Sequence, residues 1–161
     1  MDAAVQALVA HLDEMWEGLL RDVAGADDTR FHWTPGAEFN SVAILLRHLA
    51  GSERYWIGEA IGGIPSQRAR EQEFLHDQPR RADVLHAVDV ARRLTRQVLA
   101  PLSMAALEAE TAPSVTTGTP PRRPTKLWSL LHYIEHLGYH RGQALLLLKL
   151  ARTAPREAAS R

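Results

Sequence analysis

The chain reads as an all-α protein, an antiparallel four-helix bundle with a long crossover connection before the last helix. Three observations predict this. Apolar residues recur at steps of three and four through four long segments, the period of a helix with one face turned to a core. Breakers (Gly25, Pro35-Gly36, Gly62-Gly63 and Pro101) fall between those segments. No stretch carries a strong strand signal, and no repeat is visible. A length of 161 residues suits a single domain, 1–161, built round one core.

Residues 2–24 form the first expected helix. Val5, Leu8, Val9, Leu12, Met15, Trp16, Leu19 and Leu20 make its apolar stripe, and Gly25 is placed to end it. Residues 26–40 are turn-rich, and Phe31, Trp33 and Phe39 are expected to fold back over one end of the core. The second helix spans 41–61, with Asn40 or Ser41 as its N-cap. Its inner stripe is Ile44, Leu45, His48, Leu49, Ser52, Tyr55 and Trp56. Residues 62–79 read as a loop with one short helical turn. The third helix, 80–100, carries Val84, Leu85, Val88, Ala91, Leu94, Thr95, Val98 and Leu99 on one face, and Pro101 stops it. Five prolines mark 101–124 as a long connection, with a short helix near 102–110. Thr125 caps the last helix, 125–151, and the tail 154–161 is expected to fray.

The bulk numbers exclude several function classes. The formal net charge is zero, so no global field draws the chain to nucleic acid or to an anionic membrane. Arg68, Arg70, Arg80, Arg81, Arg92, Arg93 and Arg96 are numerous enough for a local basic face, but they read as a solvated helix surface. No run of about 18 apolar residues predicts a membrane span. The N-terminus lacks a basic stretch followed by an apolar one, so the cytoplasm is the expected location. Cysteine is absent, which removes disulfides, thiolate zinc sites and a cysteine nucleophile. Any metal site must use nitrogen and oxygen ligands.

The chemistry concentrates in the last helix. His132, His136 and His140 are three of the eight histidines, and a spacing of four stacks them on one face. Leu130, Leu131, Ile134, Leu137, Leu145, Leu146, Leu148 and Leu150 surround them, so this helix is expected to be buried nearly all round. Buried imidazoles need partners, and a metal ion is one. His132 and His140 lie about 12 Å apart along the axis, so one ion can take only two neighbours, His132/His136 or His136/His140. A further ligand must come from elsewhere, and His48 in the second helix is the best-placed candidate.

The expected site is therefore His48, His136 and His140. Three neutral imidazoles with an open position describe a catalytic metal site rather than a structural one, and zinc, nickel, iron or manganese all suit such donors. The competing reading is plain core packing. Gln143 and Tyr55 fall on the correct faces to stand beside the pocket or against substrate, whereas Glu53 and Glu135 point away. Arg141 reads as a surface ion pair, and Gly142 as a point of close helix packing. His11, His32, His76 and His86 read as lying outside the site.

EHLGYHRGQ at 135–143, with RHLAGSERYW at 47–56, resembles the DinB-like (DinB/YfiT) superfamily of metal-dependent four-helix-bundle proteins. Its signature is a histidine inside the second helix and a late His-x3-His followed by Arg-Gly-Gln. The resemblance covers most of the chain and implies the same fold, often as a homodimer. It places the metal triad on His48, His136 and His140, and leaves His132 as an additional histidine near the pocket. It implies a divalent metal, zinc or nickel first, with iron or manganese as alternatives. Relatives in this superfamily use low-molecular-weight thiols such as mycothiol or bacillithiol. The implied function is thiol-dependent transfer to a small-molecule substrate. The alternatives are a metal-dependent hydrolase, or a non-enzymatic metal-binding bundle dimerising through its first and third helices.

Overall fold

The computed structural model describes residues 2–154, so the expected frayed tail from residue 155 onward lies outside the described residues. Helices α1 (Ala3–Ala24), α3 (Val42–Glu53), α5 (Arg81–Leu99) and α7 (Lys126–Thr153) are the long ones. Short helices α2 (Asp28–His32), α4 (Arg70–Glu73) and α6 (Met104–Leu107) lie in the connections. Among the described residues no strand forms, and none of the helices is long and apolar enough to cross a membrane.

Most helices start where a small polar side chain takes up a free backbone N–H. Asp2, Asp27, Ser41, Ser103 and Thr125 each accept such a bond. Thr125 Oγ1 accepts from Trp128 N at 3.1 Å and starts the longest helix. Thr125→Ala is expected to lower stability by about 1 kcal/mol. Urea denaturation would check this, and an unchanged midpoint would show that the cap is dispensable.

Cross-helix contacts fix the helix directions. Asp13 on α1 meets Arg92 and Arg96 on α5, while Val23 O near the end of α1 accepts from Arg81 at the start of α5. These two helices are antiparallel. His48 on α3 lies beside His136 and His140 on α7, and the later Trp56 lies beside the earlier Trp128 and His132. That pair is antiparallel too. Met104 N donates to the Asp2 carboxylate, Lys126 N to Ala109 O, and Ala112 N to Ala60 O. The start of α1, the ends of the second and third long helices, and the start of α7 therefore share one end of the bundle. It follows that α1 runs parallel to α7, and α3 parallel to α5.

This topology positions the site. Residues 100–125 cross the end of the bundle to join α5 to α7. Two consecutive parallel helices, however, cannot be joined by a tight turn. Residues 60–80 must run back along the bundle, and they carry α4 past the middle of α3.

The core is filled by Trp16, Leu19, Leu46, Leu49, Leu130 and Leu137, each fully buried. A carboxylate sits among them. Glu53 accepts from Trp16 Nε1 at 3.0 Å, Tyr133 Oη at 2.7 Å and Thr95 Oγ1 at 2.5 Å. Three donors from three other helices satisfy a group that would otherwise be prohibitive to bury. Burial still raises its pKa above the usual carboxylate range.

Three expectations change. The helix over 41–61 is α-helical only to Glu53 and continues as a π-helical turn, Arg54–Glu59, in which Ala60 N bonds to Tyr55 O. The last helix is not buried all round: Leu131, Tyr139, Leu146 and Leu150 are 49, 64, 57 and 40% exposed. A helix at one corner of a bundle touches two neighbours and keeps an outward side, and apolar composition alone does not show which side that is. Phe31 is buried beneath the turn-rich segment as expected, but Phe39 is exposed. The arginines form no free basic face, in keeping with the sequence reading. Arg68 pairs with Glu73, Arg80 with Asp83, Arg93 with Asp89, and Arg92 and Arg96 with Asp13.

Candidate metal centre

The middle of α3 brings in His48, which is 2% exposed. One face of α7 brings in His136 and His140, both half-buried and one turn apart. His48 Nε2 and His136 Nε2 are 2.9 Å apart. The three ring centroids are separated by 4.9, 4.9 and 4.5 Å. Each ring offers one ligand nitrogen, and these nitrogens all lie within 4.8 Å of one another. Nitrogens bound to one ion at about 2.0–2.1 Å in tetrahedral geometry are roughly 3.4 Å apart, so the spacing fits a single metal.

The far side of two rings is fixed by hydrogen bonds. His48 Nδ1 lies 2.8 Å from Glu73 Oε2, and Arg68 donates to both oxygens of that carboxylate, at 2.7 and 2.8 Å. Against an ionised carboxylate, Nδ1 carries the hydrogen and the Nε2 lone pair points at the other imidazoles. His140 Nδ1 lies 2.7 Å from Gln143 Oε1, which also holds the hydrogen on Nδ1 and leaves Nε2 as the acceptor. The facing Nε2 atoms of His48 and His136 are satisfied by a shared proton or by a cation between them. The donor set therefore suits a metal.

Gly51 is what allows the carboxylate to approach. A Cβ at that position would come within 2.0 Å of Glu73 Oε1, so α4 seats on α3 at a point where only glycine fits.

The electrostatics keep the rings on α7 neutral. Burial, followed by repulsion from His140, His48, His132 and Arg68, holds the His136 imidazole down to about 3. Burial also lowers His140, against the opposing bond from Gln143, and lowers His132. Burial alone would raise Glu73, but its hydrogen bonds from Arg68 and His48 outweigh that and keep it below the usual range. At neutral pH the α7 face thus presents neutral rings at His136 and His140, close to an ionised Glu73.

His132 is near the triad but outside it. It stacks on Trp128 at 4.8 Å, meets the edge of Trp56 at 4.7 Å, and lies 6.2 Å from His136. Tyr55 lies under the Arg68 guanidinium, 5.6 Å from ring to cation. Gln143 orients His140. Glu53 turns into the core, as its position on the helix requires. Arg141 makes no ion pair among the described residues and lies against Gly18. Gly142 faces open space, so it serves no packing within the chain.

Glu73 and Arg68 were not visible from sequence as site residues. They sit in an aperiodic segment more than one helix-length from His48, and no local spacing marks them. The available signal was indirect: a buried ligand histidine needs a partner on its second nitrogen.

These features define a class, the all-α four-helix bundles with a three-imidazole cluster between facing helices. Residues 7–150 match the family model described as mycothiol-S-transferase, and the chain belongs to that family, a member of the DinB-like superfamily. Among solved structures it is similar to one described as "Crystal structure of the conserved protein of locus from Enterococcus faecalis". The identity is 18%, with 96% of this chain and 99% of the other covered at a TM-score of 0.74, and this likeness concerns the fold. No curated protein matches the chain.

Proposed function

We propose that this chain is a metal-dependent S-transferase that joins a low-molecular-weight thiol to a small electrophilic molecule. The observation that carries the reading is the convergence of three imidazoles, two of them fixed by hydrogen bonds on their outer nitrogens. His48, His136 and His140 would hold a divalent ion, with zinc or nickel the best match to an all-nitrogen donor set and iron or manganese as alternatives. A metal bound there supplies a Lewis acid that lowers the pKa of a thiol and so keeps its sulfur nucleophilic at neutral pH.

The chain's own residues do the remaining work. Glu73 and Gln143 hold the ring hydrogens away from the centre. Arg68 keeps Glu73 ionised. His132, Trp56 and Trp128 form an aromatic wall next to His136, suited to packing a flat or apolar substrate and to excluding water. The family description points to mycothiol as the thiol. The cytoplasm, which keeps such thiols reduced, is the proposed place of action.

The test is turnover of a chloro-nitroaromatic electrophile with mycothiol. The sulfur–carbon bond forms, chloride leaves, and the thiol proton passes to solvent. Turnover should require metal, fall to background after chelation, and return with zinc or nickel. Ester hydrolysis that needs metal but no thiol would replace this reading with a hydrolase.

Glu73 gives a separate check. Glu73→Gln keeps an acceptor for His48 but loses the ion pair with Arg68. It is expected to weaken metal binding by about 10- to 100-fold, measured by competition with a chelator. Unchanged affinity would remove Glu73 from the account.

A further inference from the structure

We infer that a cavity at the start of α7, lined by Arg122 and Trp128, takes a carboxylate of the electrophilic substrate, so that the preferred electrophile is an elongated acid and not a neutral molecule. The substrate class rests on the S-transferase reading; the cavity itself does not. Arg122, Arg123, Pro124, Thr125 and Trp128 line a space of about 200 Å³ where the crossover enters α7. Trp128 belongs to two places. It lines this cavity, and its ring stacks on His132, which stands 6.2 Å from His136. The aromatic wall beside the metal centre therefore ends at the cavity.

The cavity carries one uncommitted positive charge. Of its two arginines, Arg123 is spent within the chain: it pairs with Glu110 at 2.8 Å and donates to Thr111 O. Arg122 is exposed, and its guanidinium has no acceptor among the described residues. Trp128 is 38% exposed, and its indole N–H has no acceptor there either. A guanidinium offers parallel N–H donors that match the two oxygens of a carboxylate. The indole beside it suits the carbon body that carries the acid. One free cation matches a monoanion better than a phosphate dianion, and the partial positive charge at the start of α7 has the same sign.

The backbone that presents these groups is braced. Arg122 and Thr117 exchange backbone hydrogen bonds, both 2.8 Å long. Thr111 N donates to Pro124 O, Lys126 N donates to Ala109 O, and Pro124 is buried. The segment is thus fixed from both sides, which lowers the ordering cost of binding. Spacing sets the length of the substrate. Trp128 and His136 are eight residues apart, about 12 Å along α7, so an acid that serves both places carries its carboxylate about that far from the reacting carbon.

The probes are the chloro-nitrobenzoyl amide of aminohexanoic acid and the same compound with its acid converted to a primary amide. Isothermal titration calorimetry of the full chain without thiol should show the acid binding about tenfold tighter than the neutral probe. Arg122→Gln should abolish that preference and leave the affinity for the neutral probe unchanged, while Arg122→Lys should restore part of it. Far-UV circular dichroism should be the same for all three proteins. In turnover with mycothiol the preference should appear in KM, with kcat unchanged. Equal binding of the two probes, or a preference that survives Arg122→Gln, would overturn the inference, and turnover of both probes would then leave the S-transferase reading intact. A preference that depends on Arg122, without turnover of either probe, would instead keep this site and remove the S-transferase reading.

Discussion

Replacing Glu53 with alanine is expected to destabilise the fold by about 3–5 kcal/mol, a large part of what a domain of this size possesses. The carboxylate is 1% exposed and collects donors from Trp16, Thr95 and Tyr133. Its removal leaves three buried donors without acceptors and opens a cavity at the centre of the bundle. Glu53→Gln should behave differently. The amide oxygen can take the Trp16 and Tyr133 bonds, and the Thr95 hydroxyl can rotate to accept from the amide nitrogen. The glutamine variant also separates packing from charge. Burial raises the folded pKa of Glu53 above its unfolded value near 4.5. Stability from such a group is fully present below the unfolded value and is lost as pH rises through the folded one. Glu53→Gln, neutral throughout, should therefore gain on the wild type as pH rises from acid to neutral in a urea-denaturation series. A difference that stays constant across that range would contradict the burial argument.

His136→Ala should reduce thiol transfer by about a thousandfold or more, since it removes a ligand from a site whose Lewis acid contributes several kcal/mol. His48→Ala and His140→Ala should fall equally far, because the three act as one unit and not as separate contributions. His132→Ala is the control. Its ring stacks on Trp128 and stands 6.2 Å from His136, so its loss should change substrate affinity more than metal content. Steady-state kinetics would separate the two: a raised KM with metal retained for His132→Ala, and collapse of kcat/KM for the other three. Loss of metal from His132→Ala would move that residue into the ligand set.

The helices and half of the site were legible because their signals are local. The stripe through Val5, Val9, Leu12, Trp16 and Leu19 states both a helix and its buried face, and Thr125 announces the start of α7. His136 and His140 share a face through spacing alone. His48 followed from a need: two imidazoles one turn apart leave a metal short of a ligand, and the second helix offered one on its inner stripe. Glu73 and Arg68 had no such signal. Their position depends on the parallel run of α3 and α5, which sends residues 60–80 back along the bundle. Helix direction is a tertiary fact and leaves no periodicity in the chain. The π-helical turn after Glu53 was hidden for a similar reason, since a 3.6-residue pattern read through Tyr55 and Trp56 still looked regular. The outward leucines of α7 misled because an apolar residue reads the same in the sequence whether a neighbouring helix covers it or it faces outward.

The central claim is that His48, His136 and His140 together hold one metal ion. The most direct test is the metal content of the untagged protein by mass spectrometry, with each histidine replaced by alanine in turn. The account predicts about one divalent ion per chain, lost in all three variants while circular dichroism shows the helices intact. No metal in the wild type after exposure to zinc and nickel, or metal retained in folded His48→Ala, would contradict it.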